Sequence, residues 1–150
     1  MNGTDILRIR IANITDADAL ASCIDAAYAQ YANRISDLPA VSEGCADDIV
    51  NNQVWVAVIG AKIIGGLVLV RRNKAIKLAN VAIHPDYSGQ GLGQKLVALA
   101  EYKAKEQGFS EISLNTHALM PENVQFYRRL GWEETSKKGN TVSMRKRLVR

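Results

Sequence analysis

Between a strand-like run ending at His84-Pro85 and an apolar-periodic stretch starting at Leu92, the chain reads Ser88-Gly-Gln-Gly-Leu-Gly-Gln-Lys95. Gly89, Gly91 and Gly93 stand at alternate positions. Glycines so placed let successive backbone N–H groups turn toward one point, and the start of a helix adds roughly half a positive charge there. The chemistry is anion binding, and a phosphate or pyrophosphate fits it; an ordinary tight strand-to-helix turn is the plainer reading of the same glycines. Two known phosphate loops are excluded by residue type. A P-loop needs four residues between its glycines and then Gly-Lys-Ser/Thr, whereas Gly93 is followed by Gln94, Lys95 and Leu96. A dinucleotide fingerprint opened at Gly89 needs Gly or Ala where Gln94 stands, and an acid at the end of the next strand, whereas Glu111 stands at its beginning.

The elements around this loop are readable from periodicity. Ile9 and Ile11 alternate with Arg8 and Arg10, which predicts a strand within residues 6–14. Thr15-Asp16-Ala17-Asp18 offers an N-cap with an acid three residues on, and Leu20, Cys23, Ile24, Ala27, Tyr28 and Tyr31 follow at helical spacing. A loop containing Pro39 and a short helix from Ser42 to about Asn52 come next. Runs 54–59 and 63–71 around Gly60-Ala61-Lys62 predict a hairpin. A strand over 75–84 leads into the glycine loop and a helix from Leu92 to about Gln107, closed by Gly108. A strand over 111–116, a helix over 121–130 capped by Gly131, and a closing hairpin of 132–135 with 141–148 around Gly139-Asn140 complete the chain. The order is β-α-α-β-β-β-α-β-α-β-β, and it predicts an α/β mixed sheet in a single domain over residues 1–150.

Composition narrows the function classes. At 150 residues, 47% hydrophobic and 23% charged, the chain matches a globular domain and excludes disorder and low-complexity architectures. The apolar run 54–61 is far short of the roughly 20 residues of a membrane span, and the N-terminus lacks a secretory h-region, so a cytoplasmic protein without a membrane partner is expected. Cys23 and Cys45 stand alone, with no histidine at a ligand spacing, so neither disulfides nor a metal are expected. Cys23 reads as a small buried hydrophobe. The net charge of +4 belongs to the tail: residues 137–150 carry six basic residues, leaving 13 basic against 15 acidic before them. A basic C-terminal strand reads as a solvated sheet edge. Nucleic acid is not expected, because there are 9 aromatic residues in all and none beyond Lys137 to stack bases.

Two segments together resemble a known family. Ser88-Gly-Gln-Gly-Leu-Gly93 after Ile83-His84-Pro85, followed by Asn115-Thr-His-Ala-Leu-Met-Pro-Glu-Asn123 and Phe126-Tyr-Arg-Arg-Leu-Gly-Trp132, looks like the GNAT superfamily of N-acetyltransferases. The element order agrees along nearly the whole chain. The resemblance implies an acyl-CoA N-acyltransferase fold with a splayed central sheet, and acetyl-CoA as cosubstrate. It implies that the backbone of Val81 and Ile83 pairs with pantetheine. Ser88, Gly89, Gln90, Gly91, Leu92, Gly93 and Gln94 would surround the pyrophosphate. Ser88 departs from the Gln or Arg usual there, a loss of one side-chain donor in a site built mainly from backbone amides.

The same resemblance implies that Tyr127 is the general acid for the CoA sulfur and that Asn123, four residues earlier on the same helical face, hydrogen-bonds the cofactor. Packing of Tyr127, Phe126 and Leu130 on the sheet is the alternative reading of the residues alone. An oxyanion would meet the backbone N–H near Val81. The fourth strand lacks the glutamate that several members place there, Asn80 is no substitute, and His117, with an ordinary pKa near 6.5, is the candidate base. His84, before Pro85, reads as structural. Acceptor specificity in the family comes from the first two helices and their connection, here Tyr28, Tyr31 and Arg34; the tyrosines equally fit core packing. Seven acids against Arg34 in residues 16–48 would attract a cationic amine, and would equally form a solvated face.

The expected function is transfer of the acetyl group of acetyl-CoA to a primary amine of a small molecule or peptide, by direct transfer in a ternary complex of a monomer or homodimer. A regulatory module that binds acetyl-CoA without turnover is the alternative.

Overall fold

Alternating and helical apolar patterns condense as expected in the computed structural model, which describes residues 6–31, 35 and 43–148. The strands are β1 (Leu7–Ile11), β2 (Gln53–Ile59), β3 (Lys62–Arg72), β4 (Ala75–Ile83), β5 (Glu111–His117), β6 (Glu133–Lys138) and β7 (Thr141–Arg147). The helices are α1 (Ala17–Tyr28), α2 (Cys45–Asn51), α3 (Leu92–Glu106) and α4 (Pro121–Arg129). The strands form one mixed sheet in the order β1-β2-β3-β4-β5-β7-β6, with β4 and β5 parallel.

The central strands are buried on both faces, which is why β2 and β3 read as continuous apolar runs rather than alternations. Val54, Val56 and Val58 meet α1 through Leu20, Cys23 and Ile24, while Trp55 and Ala57 face the other core with α3. On α3, Leu92, Leu96, Val97, Ala100 and Ala104 form the buried stripe that seats it on the sheet. Each such leucine is worth about 1.5–3 kcal/mol of burial. Cys23 and Cys45 are free and buried in the α1-side core, and burial pushes the Cys23 thiol up to about 11, consistent with a small hydrophobe.

Three expectations are corrected. The capping box that starts the first helical segment forms two residues earlier than Thr15: the Asn13 side chain accepts from the Thr15 N–H, and the Asp16 carboxylate accepts from the Asn13 N–H at 2.8 Å. Arg10 donates to both Asp16 oxygens, at 2.8 and 3.1 Å, and so fixes which acid closes the box. Hydrogen bonding from Arg10 holds the Asp16 carboxyl below the usual carboxylate range. Trp132 does not open the sixth strand; its backbone N–H bonds the Tyr127 carbonyl at the end of α4, and its indole N–H donates to Glu101 on α3. The basic C-terminal strand is not an edge. β7 lies between β5 and β6, where Arg145 meets Glu133 at 3.0 Å and Lys146 meets Glu101 at 2.9 Å. The expected start of the second helix at Ser42 lies outside the described residues.

Close approach of α1 to the sheet depends on Gly66 in β3. A Cβ placed there would stand 2.5 Å from Cδ1 of Leu20, itself only 1% exposed. Gly66→Val is expected to destabilise the fold by about 1–3 kcal/mol through overpacking. In a Leu20→Ala background the same substitution should cost less, read as melting temperature in a double-mutant cycle; equal losses in both backgrounds would place the strain elsewhere.

Candidate active site

The site is opened by an irregularity in β4. Leu69 pairs with Leu78 and Val68 with Asn80, so Ala79 is an extra residue against β3. A bulge bends its strand and shifts the alternation of the residues beyond it by one. Before it, Ile76 and Leu78 face the α3-side core; after it, Val81 and Ile83 face that side and Ala82 packs with α1. The registered contact of β4 with β5 is the pair Lys77 and Ser113, just before the bulge. Beyond it the two strands diverge, and a cleft of about 460 Å³ lies between Leu78–Ile83 on one side and Leu114–Thr116 on the other.

At the head of this cleft stands the glycine loop. Gly89 and Gly91 have φ of +76° and +81°, the left-handed conformation that glycine adopts without strain. Gly91 is the N-cap of α3; it supplies no side-chain cap, and the first turn carries no acid. The opening N–H groups of this 15-residue helix therefore lack the partner that a capping side chain would give them, a geometry suited to an anion. Gly89, Gly91, Leu92, Gly93 and Gln94 line the cleft, as does Ser88, whose hydroxyl donates to the Pro85 carbonyl at 2.9 Å. Gln90 is not among the lining residues. His84 is a turn residue: its Nδ1 accepts from the Asp86 N–H at 3.1 Å.

Helix α4 forms the floor. Pro121 starts it without needing an N–H, and Asn123, Phe126 and Tyr127 face the cleft. The Tyr127 ring is only 8% exposed and packs edge-on against Phe126 and Trp132 at centroid distances of 5.2 and 5.5 Å. Its hydroxyl takes no hydrogen-bond partner among the described residues, yet no buried side-chain polar atom there is unsatisfied, so the hydroxyl opens to the cleft. Burial drives its pKa well above the ordinary phenol range, keeping it protonated. Asn123 is held by its backbone bond to the Met120 carbonyl and a 3.7 Å contact of its amide with the Met120 sulfur.

On the opposite wall, Tyr28 and Tyr31 reach the cleft from the end of α1, and Tyr31 packs with Ile35 and Met120. The Tyr28 hydroxyl donates to Asn80 Oδ1 at 3.2 Å, and burial pushes its pKa up to about 12. Arg34 lies outside the described residues. His117 ends β5 but is not among the cleft's lining residues; its Nδ1 accepts from the Leu119 N–H at 3.0 Å. None of the described acids of residues 16–48 lines the cleft, whereas Glu122 and Arg129 of α4 do. Their spacing with Phe126, at i, i+4 and i+7, is the signal in the sequence that could have found them. Among the described residues no group of three or more His, Cys, Asp or Glu is placed to hold a metal, and no helix is long and apolar enough to cross a membrane.

The divergent parallel strand pair, the glycine loop and the tyrosine-bearing helix all fall within residues 50–134, which a family model described as acetyltransferase (GNAT) domain matches over more than half of the chain. The chain belongs to the GNAT acetyltransferase family. Human N-acetyltransferase 8B is 30% identical over 87 residues, covering 54% of this chain and 38% of that protein. The uncharacterized N-acetyltransferase YjgM of Escherichia coli K12 is 24% identical over 135 residues, 83% of this chain and 81% of that one. The chain spans about two fifths of the length of the mammalian relatives it matches. The PaiA N-acetyltransferase of Thermoplasma acidophilum, solved in complex with coenzyme A, superposes with a TM-score of 0.85 at 21% identity, over 95% of this chain and 99% of that one. The ribosomal-protein-S18-alanine N-acetyltransferase of E. coli gives a TM-score of 0.79 at 18% identity, covering 97% and 96%. The GNAT fold expected from the two motifs, with its splayed sheet, is the fold observed.

Proposed function

We propose that this GNAT chain transfers the acetyl group of acetyl-CoA to a primary amine, both substrates being held in the cleft at once. The observation that carries the reading is the Tyr127 hydroxyl opening into the divergence of β4 and β5, with the uncapped N-terminus of α3 at the cleft's head. The glycine loop fits the pyrophosphate of acetyl-CoA because its partners are backbone N–H groups, and Gly89 and Gly91 carry no Cβ to crowd them. Beyond the bulge, alternate residues of β4 direct backbone N–H and C=O groups away from β3 with no β5 partner in register, an arrangement suited to the amide groups of pantetheine. Val81 and Ile83 are the residues we assign to that pairing. An N–H near Val81 then meets the developing oxyanion of the acetyl carbonyl.

In this reading the amine attacks the thioester carbonyl, the C–S bond breaks, and Tyr127 gives its proton to the departing sulfur. A phenol held neutral by burial suits this role, since only the protonated form can donate. Asn123, beside the Met120 sulfur on the same helix face, orients the cofactor. Tyr28 and Tyr31 form the acceptor side, with Tyr28 tied to Asn80 across the cleft mouth. The proton of the incoming ammonium leaves to water in the open cleft, and the second proton, shed by the attacking nitrogen as the amide forms, returns to the Tyr127 phenolate. His117, whose Nδ1 already accepts from Leu119, is not needed as its acceptor, and His117→Ala is expected to leave the pH–rate profile of turnover in place; loss of its acid limb would restore the histidine as base.

Calorimetric titration with acetyl-CoA, followed by a CoA-release assay over an amine panel, tests the function. The panel includes small amines and an alanine-ended peptide, the latter because the S18-alanine enzyme of E. coli shares the fold. Binding with release on at least one amine supports transfer. Binding without release from a broad panel supports a sensing module, and absence of binding overturns both readings.

A further inference from the structure

Strand β6 closes one side of the sheet: β7 pairs with it on one flank, the other flank is open, and all 6 of its residues are exposed. They read Glu133-Glu134-Thr135-Ser136-Lys137-Lys138, acids at one end and bases at the other around a neutral centre. Lysines and a bulge are common devices that keep an open edge from pairing, and an edge of lysines alone repels every copy of itself. This edge is charged differently. Laid antiparallel against a second copy about a two-fold axis between Thr135 and Ser136, it sets Glu133 opposite Lys138 and Glu134 opposite Lys137, and the axis repeats both pairs.

The bulge in β6 makes that register possible. A two-fold axis perpendicular to a sheet keeps each face on its own side, and residues directly opposite one another across strands share a face. In an unbroken strand the alternation of side chains would send Glu133 and Lys138 to opposite faces, and Glu134 and Lys137 likewise. Here Thr135 is an extra residue against β7, standing between the pairs Glu134–Met144 and Ser136–Ser143, and the alternation shifts beyond it. Glu134 and Lys137 lie opposite Met144 and Val142, which belong to the α3-side core, whereas Glu133 and Lys138 lie opposite Arg145 and Thr141 on the other face. The acids and bases that meet across the axis are therefore on matching faces.

The charges are also available. Lys137 and Lys138 make no ion pair among the described residues. The acids do have partners within the chain, Arg145 for Glu133 at 3.0 Å and Arg128 for Glu134 at 3.8 Å, but their side chains stay 61% and 38% exposed.

We propose that β6 pairs with β6 of a second copy of this chain, joining two sheets into one through two Glu–Lys pairs on either side of the axis. The cleft is untouched, because β5 and β7 separate β6 from the divergence of β4 and β5, and the pairing is independent of the acetyl-CoA reading.

Sedimentation equilibrium of the native chain and two charge-reversed variants tests this. The native chain should dimerise, more weakly as salt rises. Lys137→Glu combined with Lys138→Glu should raise the dimer dissociation constant about 100-fold or more, since every attractive cross-strand pair becomes a repulsive one. That variant removes no ion pair within the chain, so its melting temperature and acetyl-CoA affinity should match those of the native protein. Glu133→Lys combined with Glu134→Lys should also be monomeric, and mixing the two variants should restore a one-to-one dimer, because a wholly basic strand then faces a wholly acidic one. A native chain that stays monomeric would overturn the proposal, as would a dimer that survives the lysine reversals or a mixture of folded variants that stays monomeric. Should the glutamate reversals unfold the chain by removing the partners of Arg145 and Arg128, the lysine reversals alone decide.

Discussion

Gly91→Val is expected to abolish measurable acetyl-CoA binding while the protein stays folded. Gly91 sits at φ +81°, a conformation in which a β-branched residue is a strained outlier, costing about 1–2 kcal/mol or more. No atom lies within 4 Å of a Cβ added there, so the substitution clashes with nothing and acts through the backbone. Relief of that strain moves the N-cap of α3 and re-aims the N–H groups of Leu92, Gly93 and Gln94. Losing two or three charge-assisted hydrogen bonds together corresponds to an affinity loss of at least about 100-fold. Gly139→Val is the control, because Gly139 has the same sign of φ, at +58°, in the β6–β7 hairpin turn and away from the cleft. It should lower the melting temperature comparably and leave binding intact. Native-like acetyl-CoA affinity in folded Gly91→Val would remove the loop from the cofactor site.

Tyr127→Phe should separate binding from turnover. The ring, which packs against Phe126 and Trp132, is kept, and the deleted hydroxyl has no partner among the described residues, so neither stability nor acetyl-CoA affinity should change appreciably. The catalytic rate should fall by about 100-fold or more, the usual size of a lost general acid. The pH dependence carries a second signature. An acid works while protonated and its contribution fades above its pKa; because burial raises that of Tyr127, the native enzyme should show no alkaline loss traceable to this residue near or below the ordinary phenol value of about 10. Unchanged kcat in Tyr127→Phe would show that solvent protonates the sulfur and that the ring only packs.

The parts of this site legible from sequence are those written in local chemistry. Alternating glycines between a strand and a helix predict a tight loop at the helix start, and Gly89, Gly91 and Gly93 form such a loop at the start of α3. The spacing of Asn123 and Tyr127 places both on one helix face, and both meet the cleft. Hairpin turns at 60–62 and 139–140, and the burial of Cys23, follow from residue type and short-range pattern in the same way.

Long-range choices were not legible. The capping box moved to Asn13–Asp16 because Arg10, on a neighbouring strand, reaches Asp16. The basic last strand became interior because β7 pairs with both β5 and β6, and the acids that meet Arg145 and Lys146 come from β6 and α3. Glu122 and Arg129 share a helix face with Phe126 by spacing, but that this face meets the cleft follows only from α4 lying beneath it.

Thus the sequence by itself determined the element order, the glycine loop, the tyrosine-bearing helix and, through their combination, the family. Tertiary structure alone decided where the sheet opens. Ala79 is an ordinary strand residue in sequence, yet its extra position against β3 bends β4 away from β5, turns Val81 and Ile83 toward the α3 side, and leaves Asn80 beside Tyr28. A bulge is set by how two strands register against one another, and register is a property of the pair that no single strand's pattern contains.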